Sequence, residues 1–141
     1  MRSISILLVE NPLAGLTGIR ESLDKLDILY NLVTRANANE AVGYLLDKGE
    51  FGQRRLPDVI LIDISEPGVN GLELLRIIRE DPEWFHLKCF IVTTVEDKVD
   101  RVIAEQLGIS GYINKPLKLN SLSTMGAFNL MIDLINLKSA R

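Results

Sequence analysis

The sequence holds a single cysteine, Cys89, and a single histidine, His86, in 141 residues. One cysteine excludes an intramolecular disulfide and a cysteine-based zinc site, and it fits a reducing, cytoplasmic compartment. His86 follows Trp84-Phe85 with no partner motif, so it reads as a loop residue rather than a phosphodonor or metal ligand. No apolar run approaches the roughly 18 residues of a membrane-spanning helix. Positive charge is not in excess: 16 Lys+Arg stand against 19 Asp+Glu, for a net charge of -3. Nothing in that balance favours DNA or a membrane surface as a partner. Neither a P-loop nor a Gly-x-Gly-x-x-Gly fingerprint follows the first apolar run, where Asn11-Pro12-Leu13-Ala14-Gly15-Leu16 stands instead. Internal repeats, low-complexity tracts and linkers are also missing. What is present is ordinary for a folded chain, 47% hydrophobic and 25% charged, which argues against disorder. The length fits one domain over 1–141, with its core at about 3–137.

Short apolar runs recur at 4–9, 28–33, 59–62, 90–92 and 112–113. The first ends at Glu10 with no small-residue cleavage site, so it reads as a strand and not a leader. Continuous apolar runs suit strands buried on both faces. Helical spacing fills the intervals: Leu13, Leu16, Ile19, Leu23 and Leu26; Ala41, Leu45 and Leu46; Leu72, Leu75 and Ile78; Val99, Val102, Ile103 and Leu107; then Leu122, Met125, Phe128, Ile132 and Ile135. Five alternations of strand and helix predict an α/β fold, a doubly wound five-stranded parallel sheet with helices on both faces. Residues 47–57, with Arg54-Arg55, read as a solvated loop.

Ligands of open α/β sheets sit beyond the carboxyl ends of the strands. Those ends hold Glu10-Asn11, Asp63, Thr93-Thr94 and Asn114-Lys115-Pro116. Folding would gather carboxylates, an amide, a hydroxyl and an ammonium on one edge. With Asp63-x-x-x-Pro67-x-x-x-Gly71 after an apolar strand, and Lys115-Pro116 lying 22 positions beyond Thr93, this set resembles the receiver domain of two-component response regulators. It is most similar to the stand-alone regulators that accompany bacterial phytochrome-like kinases. The shared features are the Leu7-Leu8-Val9-Glu10 opening, the Thr93-Thr94 pair and the longer loop before the third strand.

The resemblance implies a flavodoxin-like (βα)5 fold and a role for each matching residue. Asp63 would accept a phosphoryl group from a sensor histidine kinase or phosphotransfer protein. A carboxylate attacking an anionic phosphoryl group meets like-charge repulsion, which a bridging divalent cation relieves. Mg²⁺ takes oxygen ligands, and the family places it on Glu10, Asn11, Asp63 and the backbone carbonyl of Ser65. Lys115 would neutralise a phosphoryl oxygen, Thr93 would hydrogen-bond another, and Tyr112 matches the aromatic switch. Pro116 is the structural proline after the lysine. Pro67 and Gly71 shape the loop after Asp63 and start the third helix. Such a protein is a phosphoacceptor switch rather than an enzyme. An aspartyl-phosphate phosphatase of the haloacid-dehalogenase type would carry an acid where Ser65 stands. The alternative is a degenerate receiver serving as a phosphorylation-independent scaffold.

Several positions depart from the family pattern. Asn11 replaces the second acid at the end of the first strand, which predicts weaker Mg²⁺ binding. Glu66 stands where the family often has an apolar residue. Its plainer reading is an exposed loop acid, its sharper one a charge lent to the metal through water. Val95 and Ser65 occupy the positions that influence phosphoryl hydrolysis in the family, and Val95 cannot orient a water, so slow decay is expected. The last helix adds Leu130, Leu134 and Leu137 to its first stripe. Two stripes predict either a homodimer through helix 4, strand 5 and helix 5 or a wide core stripe.

Overall fold

Alternate side chains of a strand point to opposite faces of its sheet, and the runs read as continuous use both. The computed structural model describes residues 3–12, 18–93, 98–115 and 125–139. Its strands are β1 (Ile4–Val9), β2 (Tyr30–Arg35), β3 (Val59–Asp63), β4 (Lys88–Thr93) and β5 (Gly111–Asn114). Its helices are α1 (Ile19–Lys25), α2 (Ala38–Leu46), α3 (Gly71–Glu80), α4 (Lys98–Leu107) and α5 (Met125–Ser139). All strand pairs are parallel, in the order β2-β1-β3-β4-β5.

Two apolar cores follow from the strand alternation. Leu7, Val9, Ile60, Ile62, Cys89 and Ile91 face the helices α2, α3 and α4. Ile6, Leu8, Val59, Leu61, Phe90 and Val92 face α1 and α5 through Ile19, Leu23, Leu130 and Leu134. Central strands are therefore apolar at nearly every position. Polar groups are left to the strand ends, and the carboxyl ends carry Glu10, Asp63 and Thr93.

Strand β2 runs over Tyr30–Arg35, two residues beyond the apolar run at 28–33. It is an edge strand with half-exposed residues, so hydrophobicity does not mark its ends. Helix α2 begins under a side-chain cap: Asn37 Oδ1 accepts from the Glu40 N–H at 3.0 Å, and Glu40 Oε1 accepts from the Ala36 N–H at 3.1 Å. Leu46, assigned by spacing to its core stripe, is exposed.

Helix α5 corrects the reading of its stripes. Leu130 and Leu134 are buried and Leu137 packs beside them, while Ile132 and Ile135 face outward. The second stripe is thus the core stripe. Leu122 and the side chains of Met125 and Phe128 lie outside the described residues. On α4, Ala104 is buried and Val99 and Val102 are exposed, which again inverts part of the predicted stripe. Among the described residues no helix is long and apolar enough to cross a membrane.

Candidate functional site

Asp63 closes β3 and is 1% exposed. A buried carboxylate is tolerated only when paired and hydrogen-bonded, and Asp63 is both. Its Oδ1 accepts from the Ser65 backbone N–H at 2.8 Å and from Ser65 Oγ at 2.9 Å. Its Oδ2 accepts from Lys115 Nζ at 2.7 Å. The backbone delivers that lysine. Thr93 pairs with Asn114 in the β4–β5 ladder, and the Lys115 N–H continues it by donating to the Thr93 carbonyl at 3.1 Å. The two charged groups, 52 residues apart in sequence, therefore meet across the end of β4, which lies between β3 and β5.

Lys115 Nζ also lies 3.5 Å from Glu66 Oε1. Burial by itself pulls the lysine's pKa down. The hydrogen bond and charge of Asp63, with Glu66 behind them, more than offset this and hold it above the ordinary value. The ammonium form is thus secured throughout the neutral range.

The other predicted groups stand on the same edge. Val9 pairs with Ile62 across β1 and β3, so Glu10 follows β1 beside Asp63. Glu10 is 9% exposed and Thr93 is fully buried, while Asn11 is half-buried. Asp63 pairs with Val92, which puts Thr93 one step beyond it. Glu10, Asp63, the Asn11 amide and the Ser65 backbone carbonyl each offer oxygen, the donor type that a hard divalent cation takes. Among the described residues no three His, Cys, Asp or Glu side chains cluster to hold a metal.

Tyr112 points to α4. The Arg101 guanidinium lies 4.4 Å from its ring centroid, and its hydroxyl donates to the Arg101 carbonyl at 2.5 Å. Burial, with Glu105 adding to it, raises the Tyr112 pKa. Pro67 opens a short 3-10 turn, Pro67–Val69, rather than the third helix itself. Asn70 then adopts a left-handed conformation with φ 57° and Gly71 begins α3. Pro116, Thr94 and Val95 lie outside the described residues.

Reading the residues in order does not reveal three contacts. Glu66 reaches Lys115, the Ser65 hydroxyl clamps Asp63, and Arg101 covers Tyr112. Only the second had a local signal, since an aspartate that accepts from the residue two positions on forms a common turn. Elsewhere the plain readings hold. Cys89 is fully buried. His86 sits in an exposed turn beside Phe85. Arg54 stacks 4.1 Å over Tyr44 and Arg55 lies 3.8 Å from Asp58, so both engage their own chain.

Comparison with known proteins identifies the family and the fold. The family described as the response regulator receiver domain matches residues 6–126. Response regulator Rcp1 of Synechocystis sp. is 26% identical over 137 residues, covering 96% of this chain and 93% of that protein. Response regulator PleD of Caulobacter vibrioides is 29% identical over 91 residues, covering 62% of this chain but only 20% of its own length. Among solved structures, the phosphorylated cyanobacterial phytochrome response regulator RcpA is 27% identical. It superposes with a TM-score of 0.73 over 99% of this chain and 98% of its own.

Proposed function

Because this chain belongs to the response regulator receiver family, we propose that it takes a phosphoryl group from a sensor histidine kinase or phosphotransfer protein onto Asp63. The observation that carries this reading is the pairing of a buried carboxylate with Lys115 at 2.7 Å on the carboxyl edge of the sheet. An Asp63 oxygen attacks phosphorus, the donor's P–N bond breaks, and the imidazole keeps the bonding electrons. Glu10, Asn11, Asp63 and the Ser65 backbone carbonyl would hold Mg²⁺, which would neutralise the two approaching anions.

Lys115 must leave Oδ2 for this to occur. It then pairs with a phosphoryl oxygen as a point charge. The Thr93 hydroxyl donates to another oxygen, and Tyr112 follows as its hold on α4 is released. Phosphate thus shifts the balance between two arrangements of α4, β5 and α5. The chemistry is confined to its own aspartyl phosphate, so the protein is a switch rather than an enzyme.

The near end-to-end match to Rcp1 supports a single-domain response regulator that signals through protein contacts. Val99, Val102, Ile132 and Ile135 are exposed apolar residues of α4 and α5, and they support a homodimer through this face. Asn11 favours the second reading, a scaffold that is never phosphorylated. Incubation with acetyl phosphate and Mg²⁺, read by intact mass, separates the two. Wild type gains one phosphoryl group and Asp63→Asn gains none; an unlabelled wild type leaves the scaffold.

A further inference from the structure

Lys115 has two anionic partners. Its Nζ contacts Asp63 Oδ2 at 2.7 Å and Glu66 Oε1 at 3.5 Å. Glu66 is two-thirds shielded from solvent, not the freely exposed loop acid suggested by its position. Its carboxylate lies no farther from Asp63 Oδ2 than those contacts laid end to end, roughly 6 Å, within the range where one charge acts on another.

We propose that Glu66 is a positioning residue of this site, an electrostatic brake that competes with the transferred phosphoryl group for Lys115. The inference rests on the assignment of Asp63 as phosphoacceptor. At rest, Glu66 adds little, because Asp63 already holds the lysine at the shorter distance. During transfer the balance changes. The Asp63 oxygen forms its bond to phosphorus, the donor's P–O bond breaks, and acetate departs with the electron pair when acetyl phosphate is the donor. Phosphoryl oxygens then need the ammonium that Glu66 also attracts. The incoming group brings negative charge toward a carboxylate that no neutral residue at position 66 would present. Both effects oppose phosphorylation. Lys115 pairs with one anion at short range, so its attraction to Glu66 cannot cancel the added repulsion.

The test compares rates of labelling by acetyl phosphate with Mg²⁺ in wild type, Glu66→Gln, Glu66→Asp and Glu73→Gln. Glu73 lies on α3, exposed and bonded to Arg76 at 3.0 Å, so its variant removes equal charge away from the site. Glu66→Gln is expected to label about three- to tenfold faster, a range set by screening at a partly exposed group. That advantage shrinks as salt rises, a response that a purely structural role for the side chain would not give. Glu66→Asp stays close to wild type and Glu73→Gln matches it. A Glu66→Gln rate equal to or below wild type, or an advantage unaffected by salt, overturns the brake while Asp63 keeps its role. Failure of wild type and Glu66→Gln alike to label overturns the phosphoacceptor assignment, and the brake with it.

Discussion

Gly71 begins α3 so close to Asp63 that a Cβ built on it would stand 2.2 Å from the Asp63 carbonyl oxygen and 3.0 Å from Ile62 Cγ2. The helix start and the end of β3 are in backbone contact, and only a residue without a side chain permits it. This is a stronger reason for glycine than the making of a turn. Gly71→Ala must push α3 away from the strand that carries Asp63. The expected cost is about 1–3 kcal/mol, seen as a lower urea midpoint at unchanged slope, with slower labelling of Asp63.

In the proposed metal site Asn11 would supply an uncharged oxygen, where a second carboxylate would bind the cation more strongly. Asn11→Asp is expected to tighten Mg²⁺ binding several-fold in calorimetric titration. Equal affinities would remove position 11 from the metal site.

Burial drives the Cys89 thiol up to about 11, against a weaker opposing pull from Arg79. Iodoacetamide should leave the folded protein unmodified at pH 8 and modify it in urea. The linkage has a definite sign. A thiol whose folded pKa is raised contributes stability that is fully present below its unfolded pKa of about 8.5. That contribution falls as pH rises and is lost as pH passes the folded pKa near 11. Cys89→Ala should therefore lose less stability than wild type between neutral pH and pH about 10, measured by urea melts at both.

Ile132 is 38% exposed and Val102 52% exposed, on the two helices assigned to the dimer face. Sedimentation should show wild type dimerising as concentration rises, with Ile132→Asp and Val102→Asp monomeric. A wild type that stays monomeric at high concentration rejects that face.

The sequence makes the central strands legible because β1, β3 and β4 are buried on both sides and so carry nearly continuous apolar runs. The edge strand β2 is less so, since none of its residues is fully buried. Helical spacing located α5 but not its inward face. Ile132 and Ile135 match the period as well as Leu130 and Leu134 do, and only packing against β1 and β5 chooses between them. The site was legible at Asp63, Lys115, Thr93 and Glu10, because parallel strands bring their carboxyl ends together. Contacts of long side chains, such as Glu66 on Lys115 or Arg101 over Tyr112, depend on rotamers that no linear spacing encodes. The approach of Gly71 to Asp63 depends on how far α3 sinks onto the sheet, which is likewise a matter of packing.

The most direct measurement is the position of the acyl phosphate. After labelling with acetyl phosphate and Mg²⁺, borohydride reduction converts a phosphorylated aspartate to homoserine, which a peptide map can place. The account predicts homoserine at position 63 in wild type and none in Asp63→Asn. Homoserine at another aspartate, such as Asp58 at the opposite end of β3, or at none, would contradict it.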